Sequence, residues 1–174
     1  LAWLLRSQHK LPEAESQAQE AFKLYWEVGG TTNDFSVQML INLGIYYAEQ
    51  SKMDKAEAAN REALAHARVA FGNDNRRLAS PLLLLARLLC NLDRPADAVE
   101  FARQAISVIG DKPPDKWGAY NAKAVMGRCL LGLTNYPDAE PFLISGCTGM
   151  ERLQDTVPVD SKLYLKEAVQ SLIT

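Results

Sequence analysis

An all-α array of helical hairpins is the fold class this sequence predicts, and three observations carry the prediction. Small side chains recur at constant spacing: Ala56 and Ala63 have counterparts at Ala14 and Ala21 one period earlier, and at Ala98 and Ala105 one period later. Ala139 and Gly146 continue the series a single position short of the same interval, so the chain reads as a repeat array. Each small pair follows an apolar stripe at helical spacing, and connectors rich in Gly, Asn and Pro separate the copies. Small residues serve this arrangement mechanically, because the helices of a hairpin approach closely only where the side chains at their crossing are short.

The first copy is clipped: Leu1, Ala2 and Leu5 supply the end of a first helix, and Pro12 to Val28 supply a second. Gly29-Gly30-Thr31-Thr32-Asn33 then joins αL-tolerant glycines to N-cap candidates. In the second copy Leu40, Leu43, Gly44 and Tyr47 form one helical stripe, a turn follows at Glu49 to Met53, and a helix from about Asp54 turns Ala56, Ala59, Ala63 and Leu64 inward. After Gly72-Asn73-Asp74, the third copy repeats the stripe with Leu82, Leu85, Ala86 and Leu89 and turns at Asn91 to Arg94. Pro95 suits the first turn of the next helix, where a missing N–H costs nothing. Beyond the connector Gly110 to Asp115, Lys123, Met126, Gly127 and Leu130 hold the fourth stripe, whose first position is polar, and Gly132 to Asn135 form the turn before Tyr136-Pro137-Asp138-Ala139. Thr156-Val157-Pro158 breaks the chain before a ninth helix, from about Asp160 or Ser161, carrying Leu163, Leu165, Ala168, Val169, Leu172 and Ile173. It either covers the open end of the array or is the first half of a fifth pair. The units fall at 1–30, 31–72, 73–112 and 113–155, with the terminal helix at 160–173, all within one repeat domain.

Composition narrows the function. With 19 basic and 21 acidic residues the net charge is -2, so nothing global draws the chain to nucleic acid or anionic lipid. Three cysteines, Cys90, Cys129 and Cys147, are odd in number, widely spaced and placed within predicted helices, which argues for reduced thiols in a cytoplasmic setting over a disulfide framework. The longest apolar run stops at Arg87, too short for a membrane span, and Leu1 to Leu5 lacks the pattern of a secretory signal. The absence of an initiator Met points to a piece of a longer chain.

These residues together resemble the tetratricopeptide repeat, in the 42-residue variety of kinesin light chains. The likeness rests on Leu43-Gly44, Tyr47, Ala56 and Ala63 in the second copy, Leu85-Ala86, Leu89, Ala98 and Ala105 in the third, and Gly127, Leu130 and Ala139 in the fourth. Departures are Asn60 in place of a large residue, Asp93 and Thr134 in place of a turn glycine, and Gly146 in place of the last alanine. The resemblance implies a right-handed α–α superhelix, a solenoid of about four helix pairs plus a terminal helix, that binds proteins or peptides along the wall made by the first helix of each pair. Residues 136–151, YPDAEPFLISGCTGME, are also similar to the C-terminal repeat regions of large bacterial serine/threonine kinases, although no kinase signature is present and Asp34-Phe35-Ser36 is only a partial match to one. That likeness implies the recognition or regulatory region of such a kinase.

Counted in this register, the groove positions are Trp3 and Arg6, then Gln38, Ile41, Asn42, Ile45 and Glu49, then Leu83, Arg87 and Asn91, and finally Asn121, Ala124 and Arg128. Arg87 and Arg128 share one position in neighbouring copies; stacked guanidinium groups suit a partner's carboxylate or phosphate, or else are solvated or paired with local acids. Asn42 has both a donor and an acceptor for a peptide backbone. Other candidates point to packing. His9 and His66 have no second ligand at metal spacing, Cys129 beside Arg128 lacks a poised His, and Trp26 and Trp117 suit a core better than a ligand platform. The expectation is a non-catalytic scaffold without cofactor or metal that binds a protein or peptide segment, an acidic one where the arginines take part, and neither nucleic acid nor membrane. The alternative is self-association through open repeat ends into a homo-oligomer.

Overall fold

The computed structural model describes residues 2–110, 116–153, 155 and 162–173. Among them all regular structure is helical, and the chain divides into two compact units, Leu1–Pro81 and Leu82–Thr174. In the first unit α1 (Ala2–Ser7) pairs with α2 (Leu11–Glu27) and α3 (Asp34–Glu49) with α4 (Met53–Phe71), α2 also packing on α3. A short 3-10 turn, Arg76–Leu78, leads into α5 (Ala79–Asn91). The second unit continues with α6 (Pro95–Ile109), α7 (Lys116–Gly132), α8 (Tyr136–Leu153) and α9 (Lys162–Ile173). There α6 packs on α7, α7 on α8, and α9 on both α7 and α8.

The first position of the small-residue series marks equivalent places in every hairpin, whereas at the second position Ala63, Ala105 and Gly146 are buried but Ala21 of the clipped first copy is exposed. Ala14, Ala56, Ala98 and Ala139 are fully buried or nearly so. Each donates its N–H to the last turn residue, Lys10, Lys52, Arg94 and Asn135 respectively, as the first bond of the second helix. The turns repeat as well. His9, Ser51, Asp93 and Thr134 have φ between 56° and 59°. The next residue's N–H reaches back to the carbonyl of Leu5, Tyr47, Leu89 or Leu130 at 2.9–3.0 Å. This is the Schellman closure of a helix, built four times without glycine.

The stripes expected from the sequence face inward. Leu82, Leu85, Ala86 and Leu89 have no exposed surface, and Leu40 and Leu43 are buried. The polar Lys123 is half-buried, and its Nζ reaches Ser145 Oγ on α8 at 3.2 Å. Gly146 belongs to a close crossing, where a Cβ would sit 2.7 Å from the Ala124 backbone nitrogen; alanine at this step of the series would push α7 and α8 apart. α3 begins at Asn33, whose Oδ1 accepts from the N–H groups of Phe35 and Ser36 while its own N–H is taken by Ser36 Oγ at 3.0 Å. This capping box satisfies donors that a helix start otherwise leaves unpaired. Residues 111–115 of the proline-bearing connector and the break at Thr156-Val157-Pro158 lie outside the described residues, as do the expected α9 starts at Asp160 and Ser161.

α9 covers one end of the second unit. Ala168 is buried, and Leu165 and Val169 pack with Trp117, Tyr120, Ala124, Cys147 and Met150. The side chains of Leu163, Leu172 and Ile173 are outside the described residues. No helix among the described residues is long and apolar enough to cross a membrane.

Candidate functional site

The strongest constellation lies in the second unit, where first helices of successive pairs run beside each other. Arg87 on α5 and Arg128 on α7, at matching positions of neighbouring copies, both turn toward Glu167 on α9. Arg87 Nη2 donates to Glu167 Oε2 at 2.5 Å, and its guanidinium lies 3.8 Å from the centre of the Tyr164 ring. Only 12% of the Arg87 side chain is exposed, so the ion pair and the ring are its main environment. Arg128 Nη1 stands 3.7 Å from the same carboxylate oxygen, and Arg128 Nη2 donates to Asn91 Oδ1. Tyr164 and Glu167 are one helical turn apart, so α9 presents an aromatic face and a carboxylate together.

Beside this cluster opens a cleft of about 520 Å³, bordered by Cys90, Asn91, Asp93, Arg128, Lys166 and Glu167 among others. Its rim is mixed in charge, with Arg128 and Lys166 opposing Asp93 and Glu167. Of its bordering residues, Cys90 places its Sγ 2.7 Å from Cys129 Sγ. Contact with Cys129 lowers the Cys90 thiol against the opposing effect of burial, and the nearby Arg128 charge adds to the lowering. The same contact, with burial, pushes the Cys129 thiol up. The cysteines expected to stand apart as reduced thiols are free, but two of them touch, because side-by-side first helices bring distant sequence positions into register.

The other predicted groove residues are distributed as follows. Arg6 and Glu49 close on each other: Arg6 Nε donates to both carboxylate oxygens at 2.9 and 3.0 Å, and Arg6 Nη2 to Oε1 at 2.6 Å. Gln38 Nε2 donates to Asn42 Oδ1 at 3.1 Å, so one end of the Asn42 amide already has a partner. Ile45 is half-buried. Ile41, Leu83 and Asn121 are buried and present little surface. Ala124 is buried against Gly146 and serves the α7–α8 crossing. Trp3 lies in α1, its side chain outside the described residues. Trp117 sits in the terminal core, whereas Trp26 is 37% exposed and meets Phe22, Tyr25 and His66 edge-on.

Tyr164, Glu167 and the Cys90–Cys129 contact are absent from the sequence reading. A signal for Glu167 existed: it lies close to one further period beyond Arg128, so carrying the Arg87–Arg128 row one more step nearly reaches it. The small-residue marker of the repeat ends before α9, and the count stopped with it.

Residues 35–109 match the tetratricopeptide repeat family model. No curated protein sequence matches the chain. Among solved structures, BtubC (BKLC) from P. vanneervenii aligns with a TM-score of 0.79 at 19% identity, over 91% of this chain and 63% of its own. The chain thus spans less than two thirds of that protein. TPR-like repeats of a Podosopora anserina protein described as a putative kinesin light chain align with a TM-score of 0.72 at 13% identity, over 98% of this chain and 83% of theirs. Their Q17M form gives 0.73 at 14%, over 98% and 82%. At such identities the likeness concerns the fold. Residues 35–109 thus match tetratricopeptide repeats in sequence, and the all-helical fold is similar to that of solved TPR-like repeat structures.

Proposed function

We propose that this chain is a non-catalytic repeat scaffold that binds an acidic segment of a protein partner, and that the cleft of the second unit receives it. The observation that carries this reading is the convergence of Arg87 and Arg128 on one carboxylate at the edge of an open cleft. Glu167 illustrates the ligand: a carboxylate on a helix, with an aromatic ring one turn before it lying over a guanidinium. A partner's carboxylate can bridge Arg128 and Lys166 at the rim, or displace Glu167 and take both arginines. Charge-assisted hydrogen bonds of this kind are roughly twice as strong as neutral ones, and the arginine fork adds orientation.

On this reading the chain is a recognition region of a larger protein. The kinase-like stretch 136–151 supports placing it beside a serine/threonine kinase domain, and a cytoplasmic setting suits its free thiols. The test is a binding titration of acidic, neutral and basic peptides of matched length, with the wild type and with Arg128→Glu/Lys166→Glu. Acidic peptides should bind the wild type best and lose at least tenfold in affinity to the variant. Equal binding by both would remove the cleft as the site. Sedimentation of the chain alone, showing mass that rises with concentration, would favour self-association through repeat ends.

A further inference from the structure

We propose that Cys90 and Cys129 form a peroxide-reactive dithiol, in which Cys90 is oxidised from the cleft and Cys129 then closes a disulfide onto it. The two residues differ in the way such a pair requires. Cys90 borders the open cleft and is only partly buried, the more accessible of the two thiols to a small hydroperoxide. Cys129 has no exposed surface and touches Cys90 from inside the helix layer. Their sulfurs, 2.7 Å apart, need to close by only about 0.7 Å to reach bonding distance. They sit on different helices, α5 and α7, so a bond between them ties two repeat copies together.

The surrounding charges favour the same order of events. Peroxide reacts with thiolate, and thiolate is favoured at the sulfur nearest to cations and hydrogen-bond donors. Contact with the Cys129 sulfur and the nearby Arg128 charge both lower the Cys90 pKa. Cys129 keeps its proton. In the first step the Cys90 thiolate attacks one peroxide oxygen, the O–O bond breaks, and hydroxide leaves as water after taking a proton, giving the Cys90 sulfenic acid. In the second, the Cys129 sulfur attacks the Cys90 sulfur, the S–O bond breaks, and the departing hydroxyl leaves as water with the Cys129 proton. The two sulfurs lose two electrons in total, and one peroxide becomes two waters. Cys147, 2% exposed within the terminal core and with its thiol raised by burial, offers an internal control.

The experiment treats the fully reduced chain with hydrogen peroxide, then counts thiols by alkylation under denaturing conditions and maps the linked peptides. The three thiols should fall to one, with Cys90 linked to Cys129 in the same chain and Cys147 still reduced. The Cys129→Ala variant should stop at a Cys90 sulfenic acid that dimedone traps, and Cys90→Ser should leave Cys129 unreacted. Retention of three thiols, preferential loss of Cys147, or linkage only between chains would overturn the proposal. Because Cys129→Ala alters a buried position, the wild-type linkage map is decisive by itself.

Discussion

Gly44 on α3 lies so close to Asn60 on α4 that a methyl group at Gly44 would sit 2.3 Å from the Asn60 Oδ1 atom. Asn60 is 3% exposed, and its Oδ1 has no hydrogen-bond partner among the described residues. The hairpin therefore holds an amide where the other copies carry Ala18, Ala102 or Leu143, and it accommodates that amide only because the facing position is glycine. Gly44→Ala should destabilise the first unit by about 1–3 kcal/mol through overpacking, although alanine is the better helix former. Asn60→Ala should cost little, since it removes a buried carbonyl that carries a desolvation penalty of about 1–3 kcal/mol. In the double variant the clash disappears, and the two effects should fall short of additivity by at least about 1 kcal/mol in urea unfolding. Strict additivity would show that the two residues do not meet.

The four hairpin turns offer a second test. Ser51, Asp93 and Thr134 adopt φ of 58°, 56° and 57°, a region that side chains other than glycine enter at a cost. Thr134 is the worst placed because its β-carbon is branched. Thr134→Gly should stabilise the second unit against denaturant by about 1 kcal/mol, and Ser51→Gly should give a smaller gain in the first. Thr134→Ala retains the Cβ and should give less than Thr134→Gly. An equal gain from alanine would place the cost in the threonine side chain and not in the backbone.

These two cases indicate which parts of the molecule were legible in sequence. The period was, because Ala14, Ala56, Ala98 and Ala139 are all selected by one requirement, closeness at a helix crossing. The turns could be located but not their backbone, since Ser51, Asp93 and Thr134 occupy a conformation that glycine usually announces. Register placed Arg87 and Arg128 in one row, but it could not distinguish Ile41 or Leu83 facing a groove from the same residues covered by packing. Glu167 was hidden for a different reason: α9 carries no small-residue pair, so it read only as an apolar cover.

A third prediction concerns pH. Glu15 on α2 is 7% exposed and accepts from Lys52 Nζ at 2.5 Å and from Gln50 Nε2 at 2.7 Å, both at the α3–α4 turn. Burial works to raise its pKa, but the hydrogen bonds from Lys52 and Gln50 and the charges of Lys52 and Lys55 outweigh it, so the carboxyl titrates below its ordinary value. A folded pKa below the unfolded one gives stability that is complete above the unfolded value, near ~4.3, and is lost as pH falls through the folded value. Unfolding midpoints should therefore drop for the wild type on acidification through the carboxylate range. Glu15→Gln should begin lower at neutral pH and show a shallower drop. Parallel profiles would mean that the Lys52 pair contributes no net stability.

The last prediction concerns the carboxylate on α9. Glu167→Gln leaves Arg87, only 12% exposed, with its charge uncompensated against the Tyr164 ring. Breaking a buried pair from one side is costly because the remaining ion keeps its desolvation penalty, whereas replacing both partners with apolar groups is often neutral. Glu167→Gln should thus destabilise the docking of α9 by about 1–3 kcal/mol, given that the glutamate is one-third exposed. Arg87→Met/Glu167→Leu should recover most of that loss. Arg128→Gln should matter less, because Arg128 stands 3.7 Å from the carboxylate and is more exposed. Amide exchange in α9 provides the readout: faster in Glu167→Gln, close to wild type in the apolar pair, and little changed in Arg128→Gln. If the apolar pair exchanges as fast as Glu167→Gln, charge compensation is not what seats α9, and its anchorage lies with Leu165, Ala168 and Val169 in the terminal core.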